Sequence, residues 1–296
     1  MFSPERNLSE WQISGFKGGK TLIFQSIEST HTLMKELAFA GKIQPGSIIV
    51  ADSQSSGHGR HERTWFSPTG KNLYFNILVP LDGIPAKNFA QITQVTALTF
   101  TEIFCNLQQE AQKSKQSYSI MDADSNSALP QITVKWPNDI LCNESKFCGI
   151  LAEILFLPGA KPTPTLNLGI GINVNAEPSD YAFLNRKVTT LKRITDQAIN
   201  REHLLQVLIS SLERAILQFK AFGISPWVDA WRRMDKFIGT RGTIIINNHC
   251  TDQNRNDGIG VVKKTGRIVD MQPNGSLLFE TDDGIRQIVY SADLEI

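Results

Sequence analysis

The densest chemistry in the chain lies between Gly57 and Trp65, in the run GHGRHERTW, which follows the apolar stretch SIIVAD and the polar SQSS. Gly57 and Gly59 let the main chain approach a ligand closely, and Arg60 and Arg63 supply fixed cationic forks. Such a loop can close on a carboxylate or a phosphate through N–H groups and guanidinium. The spacing is not that of a Walker A loop, nor of a Rossmann turn, which opens directly into a helix. His58 and His61 lack a nearby third ligand and do not by themselves make a metal site. A charged surface loop that binds nothing accounts for the same residues, so the run alone decides nothing.

Two further stretches have the same character. In Val134-Lys135-Trp136-Pro137-Asn138-Asp139, a strand ends in an Asx-rich corner, and Asp139 and Lys146 stand on either side of one turn. That placement can present a carboxylate and an ammonium to one pocket, or merely hold a β-turn. In Gly169-Ile170-Gly171-Ile172-Asn173, glycines at alternate positions clear one face of a strand so that a group can lie flat on it. Close packing between sheets would use the same pattern.

The elements that must position these residues follow from period and punctuation. Strands are predicted at TLIFQSI, GSIIVAD, NLYFNILV, ITVKW, FCGILAEILF and TLNLGIGINV. Helices are predicted at STHTLMKELAFAG, with Ser29 or Thr30 as N-cap, and across AKNFAQITQVTALTFTEIFCNL, REHLLQVLISSLERAILQFKA and SPWVDAWRRM. The polar run 109–130 reads as a surface insertion without chemistry. Beyond about Phe237, short alternating runs separated by Asn274-Gly275 and Asp283-Gly284 read as a small β-barrel or sandwich. A strand-rich centre flanked by helices points to an α+β layer and away from a doubly wound alternation.

Bulk properties narrow the class. With 296 residues and 41% hydrophobic content, the chain can build one large and one small core. Thirty basic against 29 acidic side chains remove the bulk electrostatic argument for a partner such as DNA or an anionic membrane. The first twenty residues contain Glu5 and Glu10 and no long apolar core, so they do not read as a signal peptide, and no window is apolar enough to span a bilayer. The four cysteines, Cys105, Cys142, Cys148 and Cys250, lack C-x-x-C spacing and read as free structural thiols of a reducing compartment, which leads to the expectation of a cytoplasmic protein.

Taken in order, Gly-x-Gly-Arg-x-x-Arg-x-Trp, Lys-Trp-Pro-Asn-Asp, Lys-x-x-Gly-Ile-Leu-x-Glu and Gly-x-Gly-Ile-Asn resemble a biotin protein ligase, from about Thr21 to the C-terminus. The resemblance implies an α+β fold: a class II synthetase-like mixed-sheet catalytic domain over 21–236, then a small SH3-like β domain over 237–296. Residues 1–20 would be an N-terminal extension, too short for the winged-helix DNA-binding domain of the bifunctional members, so the short type is expected. The implied activity joins biotin to ATP, with Mg²⁺ accompanying the triphosphate and no tightly bound cofactor, and passes biotin from biotinyl-5′-AMP to one lysine of a biotin carboxyl carrier protein. Acetyl-CoA carboxylase is the usual bacterial client, and the expected oligomeric state is monomer or homodimer.

The resemblance also assigns roles. Ser29, Thr30, His31 and Gln54 would meet the ureido ring of biotin, with Gly57, His58, Gly59 and Gly149 around it. Arg60, Arg63 and Lys146 would neutralise the meeting carboxylate and phosphates. Asp139 would serve the acceptor lysine, Asn138 and Asp139 would stand near Mg²⁺, and Trp65 and Asn173 would lie on the nucleotide side. The chain departs from the family at His31, where Asn is usual, and at His58 and Glu62, where Arg and Gly are usual. The last two lead to the expectation of weaker retention of biotinyl-AMP. Two other readings stay open at this point: a lipoate-type ligase, whose Arg-Arg-x-Ser-Gly-Gly-Gly signature is absent, and a catalytically silent biotin sensor.

Overall fold

The structure is a computed structural model and describes residues 8–118, 129–159, 163–184, 186–248 and 260–296. The chain forms β1 (Thr21–Ile27), α1 (Thr30–Phe39), β2 (Ile48–Gln54), β3 (Leu73–Pro80), α2 (Gln91–Tyr118), β4 (Ile132–Lys135), β5 (Asp139–Cys142), β6 (Ser145–Leu157) and β7 (Thr163–Ile172). These are followed by α3 (Leu191–Thr195), α4 (Arg201–Phe222), α5 (Ser225–Met234) and the strands β8 (Arg241–Asn248), β9 (Gly260–Met271), β10 (Leu277–Thr281), β11 (Arg286–Val289) and β12 (Asp293–Glu295).

A seven-stranded sheet runs in the order β1-β2-β3-β7-β6-β5-β4, and a separate five-stranded sheet in the order β11-β10-β9-β8-β12. Only β1 and β2 pair in parallel in the first sheet, joined by α1 as crossover; the remaining pairs are antiparallel. This is the mixed α+β architecture expected from the sequence, with a second, antiparallel sheet at the C-terminal end.

Alternation along the strands divides the large sheet into two faces. Phe75 and Ile77 of β3, Cys148 and Ile150 of β6, and Leu168 and Ile170 of β7 join the main core, which α2, α4 and α5 cover. The opposite face carries Asn76, Gly149, Leu151, Glu153, Asn167, Gly169 and Gly171, with α1 packed over part of it through Met34 and Ala38. Strand register places Asn76 opposite Gly169 and Gly169 opposite Leu151, and sets Gly171 opposite Gly149.

Several expectations need correction. The helix read as ending near Leu107 continues to Tyr118, because residues 109–118 are strong helix formers and Ala111 still reaches the core. The 109–130 stretch is therefore in part helix, and its residues 119–128 lie outside the described residues. The corner after Pro137 contains β5, and α3 and β12 were too short to leave a periodic signal. The two runs around Gly266 are one strand, in which a Cβ at Gly266 would stand 2.1 Å from the Glu280 carbonyl oxygen. The N-terminal segment is more than an appendage: Leu8, Trp11, Ile13 and Phe16 are buried in the main core, and the Gln12 N–H donates to Glu202 at 2.9 Å.

Candidate active site

A cleft opens on the glycine-bearing face of the large sheet, between the N-terminus of α1 and the loop after β2. At its polar end Ser29 caps α1, accepting from the N–H groups of His31 at 3.2 Å and Thr32 at 3.3 Å. Its hydroxyl proton is thereby left to donate to His58 Nδ1 at 3.2 Å, which requires that nitrogen to be unprotonated. Gln54, at the end of β2, accepts from the N–H and hydroxyl of Thr30 at 2.8 and 2.9 Å and donates to Ser67 at 3.0 Å. The expected biotin-facing set is thus gathered in one wall, already linked internally.

His31 is held more tightly than its place in the sequence suggests. Its Nδ1 accepts from Asn76 at 3.1 Å, so Nε2 carries the proton and donates to Glu153 at 3.0 Å; Lys35 pairs with the other Glu153 oxygen. Burial pushes the His31 pKa down, against the pull of Glu153. Both ring nitrogens are therefore engaged by protein groups.

The question left by the alternate glycines is answered by Trp65. A Cβ on Gly171 would stand 2.5 Å from the indole, and one on Gly149 would stand 2.9 Å from it. The group lying flat on that face is this side chain. Its Nε1 is buried without a hydrogen-bond partner among the described residues, while Lys146 Nζ and the Arg186 guanidinium approach the ring at 5.3 and 6.0 Å from its centroid.

The loop itself is laced by main-chain bonds, Trp65 N–H to Gly57 at 2.8 Å and Gly59 N–H to Arg63 at 2.6 Å, around a short 3₁₀ turn over Arg60–Glu62. A Cβ at Gly57 would meet the Trp65 carbonyl oxygen at 2.5 Å, so glycine is needed for that crossing, although Gly57 itself lies behind the cleft. The Glu62 side chain lies outside the described residues.

At the cationic end, Lys146 Nζ and Asp139 Oδ1 lie 2.6 Å apart, a close ion pair not aligned as a hydrogen bond. Arg60 reaches Asn138 Oδ1 at 3.4 Å, and Asn138 in turn donates to the Ile150 carbonyl at 2.6 Å. Burial lowers the Arg60 pKa, opposed by Asp293 and Asp139. Asp293, on β12, draws in three loop side chains: Arg63 at 2.7 Å, Arg60 at 3.4 Å and His61 at 3.4 Å. Arg60 also donates to the Ala292 carbonyl at 3.1 Å and Ser291 at 3.3 Å.

Sequence reasoning missed Asp293, Asn76, Glu153, Lys135 and Arg186. Lys135, whose pKa burial lowers, lines the same cationic region and was visible inside the Lys-Trp-Pro-Asn-Asp run. Asp293 had no local signal at all. Asn173 does not line the main cleft; it is buried behind Trp65 and donates to the Thr189 carbonyl at 3.2 Å. No cluster of three or more His, Cys, Asp or Glu able to hold a metal occurs among the described residues.

Against this geometry the comparisons with known proteins are decisive. The family model described as Biotin/lipoate A/B protein ligase family matches residues 23–173. The chain belongs to this family. It is 28% identical over 280 residues to the bifunctional ligase/repressor BirA of Bacillus subtilis, covering 94% of this chain and 74% of that protein. It is 24% identical over 292 residues to the biotin–[acetyl-CoA-carboxylase] ligase of Mycobacterium tuberculosis, covering 97% and 93%. Among solved structures, the biotin protein ligase of Aquifex aeolicus in complex with biotin and ATP matches with a TM-score of 0.64 at 23% identity, covering 93% of this chain and 97% of that one. That likeness establishes the shared fold, including the terminal sheet. The family's matched segment starts within β1 and ends just past β7, so it contains the α1 wall, the loop, the Asp139–Lys146 pair and the glycine face together.

Proposed function

We propose that the chain is a biotin protein ligase, with 21–236 as its catalytic unit and 237–296 as a terminal unit that helps hold the ligand loop. The observation that carries the reading is the convergence of Lys146, Arg60 and Arg63 on the same cleft as the α1 polar wall. One relative named above is a biotin–[acetyl-CoA-carboxylase] ligase, which favours biotin over lipoate within the family.

In the first step a carboxylate oxygen of biotin attacks the α-phosphorus of ATP, the bond to the β-phosphate breaks, and pyrophosphate leaves with the electron pair. Two anions must meet, and Lys146, flanked by Arg60 and Arg63, lowers that repulsion and stabilises the charge that builds on the phosphate oxygens. In the second step a neutral lysine amine of the carrier attacks the acyl carbon, and AMP leaves. A lysine with an ordinary pKa of about 10.4 is almost wholly protonated at neutral pH, and Asp139 is the carboxylate placed to orient it or take its proton.

Asn138 and Asp139 direct oxygens at Arg60 and Lys146, and so do not form a protein-only Mg²⁺ cage. Mg²⁺ would enter with the triphosphate, keep waters and take few protein ligands. Trp65 stands beside Lys146 as the flat surface for the nucleotide side. Ser29, Thr30 and Gln54 present the polar wall, with His58, Gly59 and Gly149 bordering it; Asn173 and Gly57 support Trp65 and the loop from behind.

The acceptor is the biotin carboxyl carrier domain of acetyl-CoA carboxylase, and the compartment is the cytoplasm, in keeping with the free thiols of Cys105, Cys142 and Cys148. Among the described residues, no helix is long and apolar enough to cross a membrane. The test is transfer of labelled biotin to a purified carrier domain by wild type and by Lys146→Ala. Transfer by the first and none by the second supports the proposal. Biotin binding without transfer by the wild type favours a silent sensor.

A further inference from the structure

Asn76 lines the floor of the cleft from β3 and is 1% exposed, and no motif pointed to it. Both of its amide hydrogens are spoken for: Nδ2 donates to Asn167 Oδ1 at 2.6 Å and to His31 Nδ1 at 3.1 Å. Asn167 closes the ring by donating to the His31 carbonyl at 3.0 Å. The amide orientation is therefore fixed by two acceptors on different elements, β7 and α1. The remaining atom, Asn76 Oδ1, meets no donor among the described hydrogen bonds; a Cβ placed on Gly169, a glycine that also lines the cleft, would lie 3.0 Å from Nδ2 and 3.2 Å from Oδ1, so the amide stands edge-on beside it.

We propose that Asn76 determines specificity by presenting a lone acceptor to a ureido N–H of biotin, and that neutral His31, pinned by Glu153, is the positioning residue that keeps this acceptor facing the ligand. The inference rests on the biotin reading above. It also gives the departure at His31 a physical role: the ring holds the group that binds in place of binding directly.

The arrangement works only while Nδ1 of His31 lacks a proton. The charged or titratable groups facing the ring are Glu153 from β6, Lys35 from α1 and His58 from the loop. Burial, the largest influence, pushes the His31 pKa below its ordinary value of 6.5, so the neutral form prevails at pH 7. Protonation would set an N–H against the Asn76 amide hydrogens. Reversing that amide to relieve the clash turns its donor toward the cleft, where a ureido N–H would meet another donor, and places two oxygens together at Asn167. A mismatched buried hydrogen bond of this kind weakens binding, because the unpaired polar groups lose their solvation without gaining a partner.

The experiment is equilibrium binding of biotin, and separately of a biotin analogue methylated on the ureido nitrogen, from pH 7.5 down to pH 5.5. Wild type, His31→Asn and Asn76→Leu are compared, with far-UV circular dichroism to confirm folding. The inference expects wild-type affinity for biotin to fall across that window, by less than the roughly tenfold that a histidine of ordinary pKa would give, the His31→Asn affinity to stay level, and Asn76→Leu to lose most of the preference for biotin over the methylated analogue. A level wild-type profile, or an unchanged preference in folded Asn76→Leu, overturns it. Should Asn76→Leu fail to fold, the paired pH profiles of wild type and His31→Asn still decide. Wild type that binds biotin at no pH overturns the biotin reading itself and the inference with it, whereas pH-independent binding overturns the inference alone.

Discussion

At the scale of single residues, the site depends on charges that are already partnered in the empty protein. Lys146 must exchange Asp139 for two substrate anions, and its loss removes the group that bridges them. Lys146→Ala is expected to lower biotin-dependent pyrophosphate release by about 10²–10³-fold, the range for deleting one preorganised electrostatic donor, with an unchanged circular dichroism spectrum; retention of more than a tenth of the rate would contradict the assignment. His58→Arg tests the loop departure: it would take away the Ser29 partner and add a fixed charge. Dissociation of biotinyl-AMP should slow in this variant, and an unchanged off-rate would refute the expectation. The residues legible in the sequence, Arg60, Lys146 and Asp139, belong to compact motifs with side chains of unambiguous chemistry. Asn76 was illegible because nothing in one strand's sequence tells which face carries the ligand; only the strand register puts it beside Gly169, while Glu153, visible at the end of the Lys-x-x-Gly-Ile-Leu-x-Glu run, shows its role only through its contact with His31.

At the scale of elements, the ligand loop and strand β12 act as a pair. Arg60, His61 and Arg63 converge on Asp293, a contact across more than two hundred residues of sequence that no local pattern could announce. Asp293 is mostly buried and Arg60 largely so, which keeps solvent screening of their contact low, while the Arg63 side chain is 60% exposed and adds less. Asp293→Ala should let the guanidinium groups drift from the cationic end, raising KM for ATP about tenfold while leaving KM for biotin within twofold. Equal changes in both constants would show that the variant disturbs the cleft generally. The glycine face gives a second test. Gly171→Val puts a branched side chain where the Trp65 ring now lies, and should move Trp65 into solvent with a red shift of its fluorescence and loss of nucleotide binding. The helices and long strands were readable because their periods are long enough to repeat; β5, α3 and β12 each span only three to five residues and carry no period.

At the scale of the whole molecule, one core reaches from the N-terminal segment through α2, α4 and α5 into the terminal sheet, where Ile244, Ile268 and Phe279 belong to the same cluster as Phe16. The change of character near Phe237 marked a new sheet in the sequence, yet the continuity of the core was not legible there, because it depends on which faces meet. Asp235, just before that sheet, is 3% exposed and accepts from Trp231 Nε1 and the Phe237 N–H, both at 3.0 Å. Burial raises its pKa to about 6. Its protonated form is therefore favoured on folding: its contribution to stability is full below the ordinary carboxylate range and is lost as pH rises through about 6. The unfolding free energy of the wild type, taken relative to Asp235→Asn, should fall by roughly 1–2 kcal/mol between pH 5 and pH 7, and the comparison removes the opposite trend due to His31. A flat difference would contradict the linkage. The central claim is that one cleft carries both half-reactions. It is tested most directly by quenched-flow measurement of pyrophosphate after mixing the enzyme with biotin and ATP, first without and then with a carrier domain. The account predicts a biotin-dependent burst of one pyrophosphate per active site, a bound biotinyl-AMP, and continuous turnover with labelling of the carrier lysine once the carrier is added. Release of pyrophosphate independent of biotin, or a burst whose intermediate never reaches the carrier, would contradict it.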